Sequence, residues 1–214
     1  MNRVAAAFTY PFRAGAGRWL VGSLLVLFWP LAFIPLLGYA TAAVRASAAD
    51  PAAAPPAWRL SGRLLRDGAW TALAVALFSA PFAAGWWPLA SLLTGRVAAT
   101  GEPFLDRAYG VLAAGLALAL PWGVVLLVQM PPASARFAVG GRAHDLFDVR
   151  ASLRAVRDSY AVWNLAVAAI VSGWVGGVLV GSLCCVGVLP AAFYAILVSA
   201  HASSALAPTD QPAG

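Results

Sequence analysis

The chain has 214 residues, of which 62% are hydrophobic and 10% are charged, and its net charge is +6. Charged residues make up about a quarter of an ordinary soluble domain, so this composition excludes a soluble protein and indicates an integral membrane protein. The positive charge comes from arginines that flank apolar runs, so anionic lipids are the expected partner and nucleic acid is not. We predict an all-α fold, a single polytopic transmembrane helical bundle of about five spans, since each crossing needs roughly 20 apolar residues.

The first apolar run covers residues 19–44, which contain no charge. Residues 1–18 precede it and mix arginines with aromatic residues, a pattern typical of an interfacial segment. The run is longer than the apolar core of a signal peptide, so we expect an uncleaved anchor. Two prolines, Pro30 and Pro35, predict a kink or a break. A crossing span and a re-entrant hairpin with its tip at Trp29 and Pro30 therefore both stay open.

Residues 57–67 contain three arginines spaced by four and three residues, Arg59, Arg63 and Arg66. This spacing puts them on one helical face, as in a helix that lies on a membrane surface, and the alternative is a solvated turn. We regard the three as candidate lipid-headgroup ligands.

The second span is predicted at residues 69–84, followed by a tryptophan pair that begins at Trp86 and is typical of the membrane interface. The third span is predicted at residues 108–128. Because proline lacks a backbone N–H, Pro131 and Pro132 are expected to end this helix.

Residues 134–159 form the longest polar stretch and are predicted to be an interfacial segment. Arginines recur there at four and three residues, as Arg150, Arg154 and Arg157, and these are further headgroup candidates. An apolar stripe runs beside them and consists of Val149, Leu153, Val156 and Tyr160. A helix with this pattern can lie in the interface while its arginines reach phosphates.

The last two spans are predicted at residues 162–181 and 183–205, and residues 207–214 are expected to be a disordered tail. A small-residue ridge, Gly173, Gly177 and Gly181, would let another helix approach closely. Packing inside the monomer is favoured over a dimer interface, and the oligomeric state stays open.

Arginine counts predict the orientation of the chain in the cell (inner) membrane. If all five spans cross, nine arginines oppose five, and the loops at residues 45–67 and 134–159 are cytoplasmic while the amino terminus is external. If the first run is re-entrant, the amino terminus joins the cytoplasmic side and twelve arginines oppose two. Both topologies make the two arginine-rich loops cytoplasmic.

Chemistry-bearing residues are few. His201, near the end of the last span, is interpreted as an interfacial side chain that hydrogen-bonds a neighbouring helix rather than as a proton relay. His144 and Asp145 match no catalytic or metal motif, and Asp145 is expected to cap the following helix. Cys184 and Cys185 are interpreted as small buried packing residues. We therefore predict no catalytic residue, no metal site and no cofactor.

The chain resembles a family of prokaryotic membrane proteins, domain of unknown function 4013. The resemblance rests on FTYPFRAGAGRWLVGSLL, GYATAAVR, PAWRLSGRLLRDGAW, ARFAVGGRAHDLFD and FYAILVSAHASSAL, which occur in this order over nearly the whole chain. The resemblance implies a polytopic α-helical membrane protein with interfacial amphipathic segments. It implies no activity and no catalytic residues.

Three functional hypotheses follow. The first is a non-enzymatic accessory or lipid-interacting envelope component, acting through cytoplasmic arginine-rich interfacial helices; a membrane-protein partner stays open. The second is a transporter or permease-like subunit whose proline-broken helices line a substrate site. The third is a membrane enzyme acting on lipid, which would need His144, Asp145 and Asp67 to cluster around one pocket.

Overall fold

A computed structural model describes residues 5–94, 96, 102–182 and 187–208. This part of the chain forms seven α-helices, three short 3-10 turns and no strand. The helices are α1 (Ala16–Leu27), α2 (Trp29–Ala49), α3 (Gly62–Leu93), α4 (Pro103–Gly140), α5 (Val149–Asp158), α6 (Tyr160–Ser182) and α7 (Val188–Ser204). The 3-10 turns are Ala6–Phe8, Tyr10–Arg13 and Ala143–Leu146.

Four of these helices, α2, α3, α4 and α6, are long and apolar enough to cross a membrane by their length and composition. Helices α1 and α7 are apolar but shorter. The prediction of an all-helical polytopic membrane bundle is confirmed, while the placement of the individual spans stays a prediction.

The chain divides into two compact units. The first unit comprises Met1–Leu73 and Val128–Gly214, and the second comprises Ala74–Leu127. Helices α3 and α4 each contribute to both units, because their bounds extend across Leu73 and Leu127.

Helices α1 and α2 of the first unit fold back on each other. Phe28 interrupts the helical geometry between them, and Pro30 lies in the first turn of α2. Backbone N–H groups in the first turn of a helix have no intrahelical acceptor, so proline removes no hydrogen bond there. The far ends meet again, because Nη1 of Arg13 donates to the carbonyl oxygens of Pro51 at 3.1 Å and Ala52 at 3.0 Å. The two helices therefore form a hairpin with its tip at Phe28.

The core of the first unit surrounds Phe193 of α7. Its ring contacts Trp19, Tyr39 and Trp58, with centroid distances of 5.6, 5.9 and 6.2 Å. Gly22 of α1 provides room for the ring, because a Cβ at that position would collide with it. Helices α1, α2 and α7 and the segment before α3 are thus held together by aromatic packing.

The second unit consists of the antiparallel ends of α3 and α4. Nε1 of Trp122 donates to Oγ of Ser79 at 2.9 Å, and Gly115 faces the Trp86 ring. Leu112, Leu116 and Leu120 form an exposed stripe on α4, which is the surface expected of a helix that contacts lipid.

Two helices extend further than the sequence analysis expects. Helix α3 passes Pro81 and Pro88 and ends at Leu93, and α4 passes Pro131 and Pro132 and ends at Gly140. Each proline removes one hydrogen bond, which a helix inside a membrane bundle tolerates when packing and neighbouring groups compensate. Helix α4 ends where Gly141 adopts a φ of 68°, a conformation that favours glycine.

The start of α3 corrects one prediction. Oγ of Ser61 accepts from the N–H of Leu64 at 3.2 Å and caps a helix that begins at Gly62. Arg59 therefore precedes the helix, and only Arg63 and Arg66 share its first turns. Cys184 and Cys185, and the tail beyond residue 208, lie outside the described residues.

Candidate functional site

A buried carboxylate surrounded by arginines lies at Asp67 of α3, whose side chain is 3% exposed. Its Oδ2 lies 2.8 Å from Nη2 of Arg45 on α2. Arg66 approaches Oδ1 at 3.4 Å and Arg63 approaches Oδ2 at 3.8 Å, and both are 62% exposed. Three arginines around one carboxylate leave a formal excess of two positive charges.

Arg45 also connects this site to a third helix. Its Nε donates to the carbonyl oxygen of Ala138 on α4 at 2.7 Å. The guanidinium thus bridges α2, α3 and α4, and its hydrogen bonds offset part of the cost of taking it out of water. Sequence analysis counts Arg45 among the loop charges and considers Asp67 as a residue of a possible lipid enzyme, but it does not pair the two. The signal for their pairing is that they have opposite charge and border consecutive predicted spans on the same side.

Glycine and threonine residues bring α2 and α3 into close contact beside this ion pair. A Cβ at Gly68 would collide with the carbonyl oxygen of Ile34. Oγ1 of Thr71 donates to the carbonyl oxygen of Asp67 at 2.9 Å and lies 3.2 Å from Oγ1 of Thr41. Close backbone approach and interhelical hydroxyl contacts are the usual glue of membrane helices.

A second polar cluster holds the segment after α4. Nη2 of Arg136 donates to Oγ of Ser152 at 2.9 Å and to the carbonyl oxygen of Asp145 at 3.1 Å. Two turns earlier on the same helix, Nε2 of Gln129 donates to the carbonyl oxygen of Leu146 at 2.9 Å. These contacts fix the 3-10 turn and α5 against the end of α4.

Asp145 is buried, whereas His144 and Arg142 beside it are exposed. Nε2 of His144 lies 3.4 Å from Oδ1, and Nε of Arg142 lies 3.5 Å from Oδ2. Across the described residues no group of three or more histidine, cysteine or acidic side chains could hold a metal ion.

The sequence analysis expects Asp145 to cap α5, but the cap is Asp148. Its Oδ1 accepts from the N–H of Ala151 at 2.9 Å. This backbone hydrogen bond lowers the pKa of the Asp148 carboxyl, and the positive charges of Arg136 and Arg154 act in the same direction. Asp145 instead has its backbone carbonyl bound by Arg136.

Helix α5 buries little of its surface. Its one buried residue is Ser152, so the helix packs through a small polar side chain. Val149 and Leu153 are 44% and 52% exposed, and the predicted headgroup ligands Arg150, Arg154 and Arg157 are exposed as well. Nε of Arg157 donates to Oδ1 of the adjacent Asp158 at 3.2 Å. Apolar and basic side chains are therefore exposed together.

His201 of α7 is 1% exposed and is therefore buried inside the chain. Its Nδ1 lies 3.1 Å from Oγ of Ser47 on α2, and the Tyr10 ring covers it with a centroid distance of 4.5 Å. Burial raises the pKa of the Tyr10 hydroxyl. This cluster fastens the amino-terminal 3-10 turn to two helices.

The predicted glycine ridge faces α7 of the same chain. A Cβ at Gly173 would lie 3.1 Å from Cγ1 of Val198, and one at Gly181 would lie 3.0 Å from Cα of Val188. A Cβ at Gly177 would lie 3.1 Å from the carbonyl oxygen of Ala191. The three glycines thus allow α6 and α7 to approach closely.

Comparison with known proteins finds one family. The family model described as "Protein of unknown function (DUF4013)" matches residues 21–205. No curated protein and no solved structure matches the chain.

Proposed function

The chain belongs to the DUF4013 family of proteins of unknown function, and we propose that it is a non-enzymatic, lipid-interacting accessory component of the cell (inner) membrane. In this proposal α5 lies in the cytoplasmic interface and binds anionic headgroups, and the first turns of α3 contribute Arg63 and Arg66. The observation that carries the proposal is the surface of α5, which exposes Val149 and Leu153 together with its three arginines.

The exposed residues of α5 have the chemistry of an interfacial helix. Apolar side chains favour the acyl boundary, while arginines reach outward to phosphates. A helix exposed only to water would hold Val149 and Leu153 at a cost, since full burial of such a side chain contributes roughly 1.5–3 kcal/mol and these two are 44% and 52% exposed. Contact with lipid removes that cost.

The hairpin of α1 and α2 supports the cytoplasmic placement. The contacts of Arg13 with Pro51 and Ala52 bring the amino-terminal segment to the same end of the first unit as the arginine-rich loop at residues 45–67. With those segments on one side, the count of twelve arginines against two applies. The positive-inside rule then favours a cytoplasmic location for both loops.

Local hydrogen exchange tests the lipid contact. The full-length protein is reconstituted in nanodiscs of neutral phosphatidylcholine, with and without phosphatidylglycerol, and exchange of the α5 amides is measured by mass spectrometry. Phosphatidylglycerol should slow exchange in α5. Because an arginine near an anionic surface contributes about 1 kcal/mol, Arg150→Gln with Arg154→Gln should reduce this protection by up to about 30-fold.

The matched control is Arg96→Gln with Arg107→Gln, which removes the same charge from segments outside α5. It should leave the protection of α5 unchanged. Equal exchange of wild-type α5 in neutral and anionic discs would refute the lipid contact, as would an equal effect of the two double variants. Ser159→Cys in a background without Cys184 and Cys185 tests sidedness, because labelling of intact cells by a membrane-impermeant thiol reagent would contradict the cytoplasmic placement.

The transporter hypothesis has less support. It rests on helices broken at Pro30, Pro35 and Pro81, but Pro30 lies in the first turn of α2, and α2 and α3 remain helical through Pro35 and Pro81. The break between α1 and α2 occurs where Phe28, Trp29 and Leu31 are exposed. An exposed apolar tip of this kind suits contact with lipid rather than with a polar substrate.

A further inference from the structure

A pocket of about 450 Å³ opens on the surface of the first unit at the start of α1. Its lining consists of Gly15, Gly17, Arg18, Val21, Ala57 and Trp58. Arg18 is the one charged residue among these, and within the described residues no carboxylate lies at ion-pair distance from its guanidinium. The pocket thus offers one unpaired cation and an otherwise apolar wall.

The Trp58 wall is held in place from both sides. Its ring stacks on Tyr39 at a centroid distance of 3.8 Å and an interplanar angle of 11°. Its Nε1 donates to the carbonyl oxygen of Arg18 at 3.2 Å. A tryptophan beside an arginine is typical of the headgroup layer, where the indole spans apolar and wet surroundings.

An exposed apolar stripe continues from the pocket along α1. Val21, Leu24 and Phe28 recur at three and four residues and are all exposed. A cationic group at one end of an apolar stripe is complementary to a phospholipid, in which the charged phosphate lies at one end of the molecule and the acyl chains extend from it. Charge at the pocket and apolarity along the helix therefore point to the same ligand.

We propose that this pocket binds the phosphate group of a phospholipid, with Arg18 as its ligand, Trp58 as a wall and the Val21–Leu24–Phe28 stripe against the acyl chains. The site extends the proposed lipid interaction to a second surface that α5 does not form. Phosphate from a free ion would use the same guanidinium, so the test includes both sources.

Two variants remove the site in different ways. Arg18→Gln removes the charge. Gly17→Leu adds an apolar side chain to the pocket lining, at a position where a Cβ meets no atom within 4 Å. The matched controls are Arg107→Gln, which removes one exposed arginine outside the pocket, and Gly123→Leu, whose Cβ also meets no atom within 4 Å.

The assay is native mass spectrometry of the full-length protein in neutral detergent, titrated with phosphatidylglycerol, with diacylglycerol and with inorganic phosphate. Phosphatidylglycerol should bind the wild type more tightly than diacylglycerol does. Arg18→Gln should weaken the binding of one phosphatidylglycerol molecule about fivefold, and Gly17→Leu at least as much, while the lipids bound by the arginines of α3 and α5 stay bound. Both controls should bind as the wild type does.

The outcomes separate the two sources of phosphate. Displacement of phosphatidylglycerol by millimolar inorganic phosphate would overturn the lipid assignment, and its retention supports it. Equal binding of diacylglycerol and phosphatidylglycerol, or wild-type affinity in both site variants, would overturn the phosphate site. Because the α5 arginines are intact in these variants, failure here leaves the exchange test of α5 unaffected. Unfolding temperatures in neutral detergent verify that each variant is folded.

Discussion

Replacing Asp67 with asparagine tests whether the buried ion pair holds α2, α3 and α4 together. The substitution keeps the size of the side chain and removes its charge. Arg45, 27% exposed, would then be left with its hydrogen bond to Ala138 but without its carboxylate. Removing one partner of a buried ion pair costs about 3–5 kcal/mol.

The lower end of that range applies to this site. Part of the Arg45 side chain and most of the side chains of Arg63 and Arg66 are exposed, and exposure lowers the cost of losing the carboxylate. We expect Asp67→Asn to reduce the free energy of unfolding by about 3 kcal/mol. Reversible unfolding of the reconstituted protein, monitored by tryptophan fluorescence as sodium dodecyl sulfate is added to mixed micelles, measures this change.

Asp158→Asn is the matched control, because Asp158 is 62% exposed and its ion pair within the described residues is with its neighbour Arg157. Exposed pairs contribute about 0.2–1 kcal/mol, so this change should be small. A double-mutant cycle with Arg45→Gln isolates the coupling between the two side chains. If Asp67→Asn costs no more than Asp158→Asn, or if the cycle gives no coupling, the reasoning from the buried pair is refuted.

Three further changes follow from the packing and from one cap. Gly68→Ala should destabilise the protein by about 1–3 kcal/mol because its Cβ meets the backbone of α2, whereas Gly62→Ala, which faces open space, should not. Gly177→Leu should lower the unfolding temperature by crowding α7, whereas Gly176→Leu on the adjacent, open position should not. The pKa of Asp148 is lowered in the folded protein. Its ionised carboxylate therefore stabilises α5 at pH values above the ordinary carboxyl pKa, and this contribution is lost as the pH falls through the pKa of the folded state. Hydrogen exchange of α5, corrected for intrinsic rates, should therefore increase at acidic pH, and Asp148→Ala should remove the pH dependence; unchanged dependence would contradict the cap.

The sequence predicts the helical elements well because apolar runs are a local property of the chain. The arginine spacing on α5 and the small-residue ridge on α6 are also local, and the structure places both on continuous helices. The sequence analysis misses the helix ends at Leu93 and Gly140. It considers only the hydrogen bond that each proline removes and not the packing that compensates for this loss.

Pairings between distant residues could not be predicted in the same way. Arg45 and Asp67 are separated by 22 positions, and their contact depends on the close crossing of α2 and α3 at Gly38 and Gly68. That crossing follows from the absence of two Cβ atoms, which a hydropathy pattern does not register. Burial of His201 likewise depends on Tyr10, which lies near the opposite end of the chain.

The geometry around Asp67 separates a structural arginine from two that are available to lipid. Arg45 holds the carboxylate at 2.8 Å, whereas Arg66 and Arg63 stand at 3.4 and 3.8 Å with most of their side chains exposed. A headgroup phosphate can therefore bind the outer pair without leaving Asp67 unpaired. Arg63→Gln with Arg66→Gln should weaken phosphatidylglycerol binding by up to about 30-fold with little loss of stability in neutral detergent. Arg45→Gln should instead lower the stability in neutral detergent and change phosphatidylglycerol binding little. The same effect from both changes would mean that the three arginines act as one group.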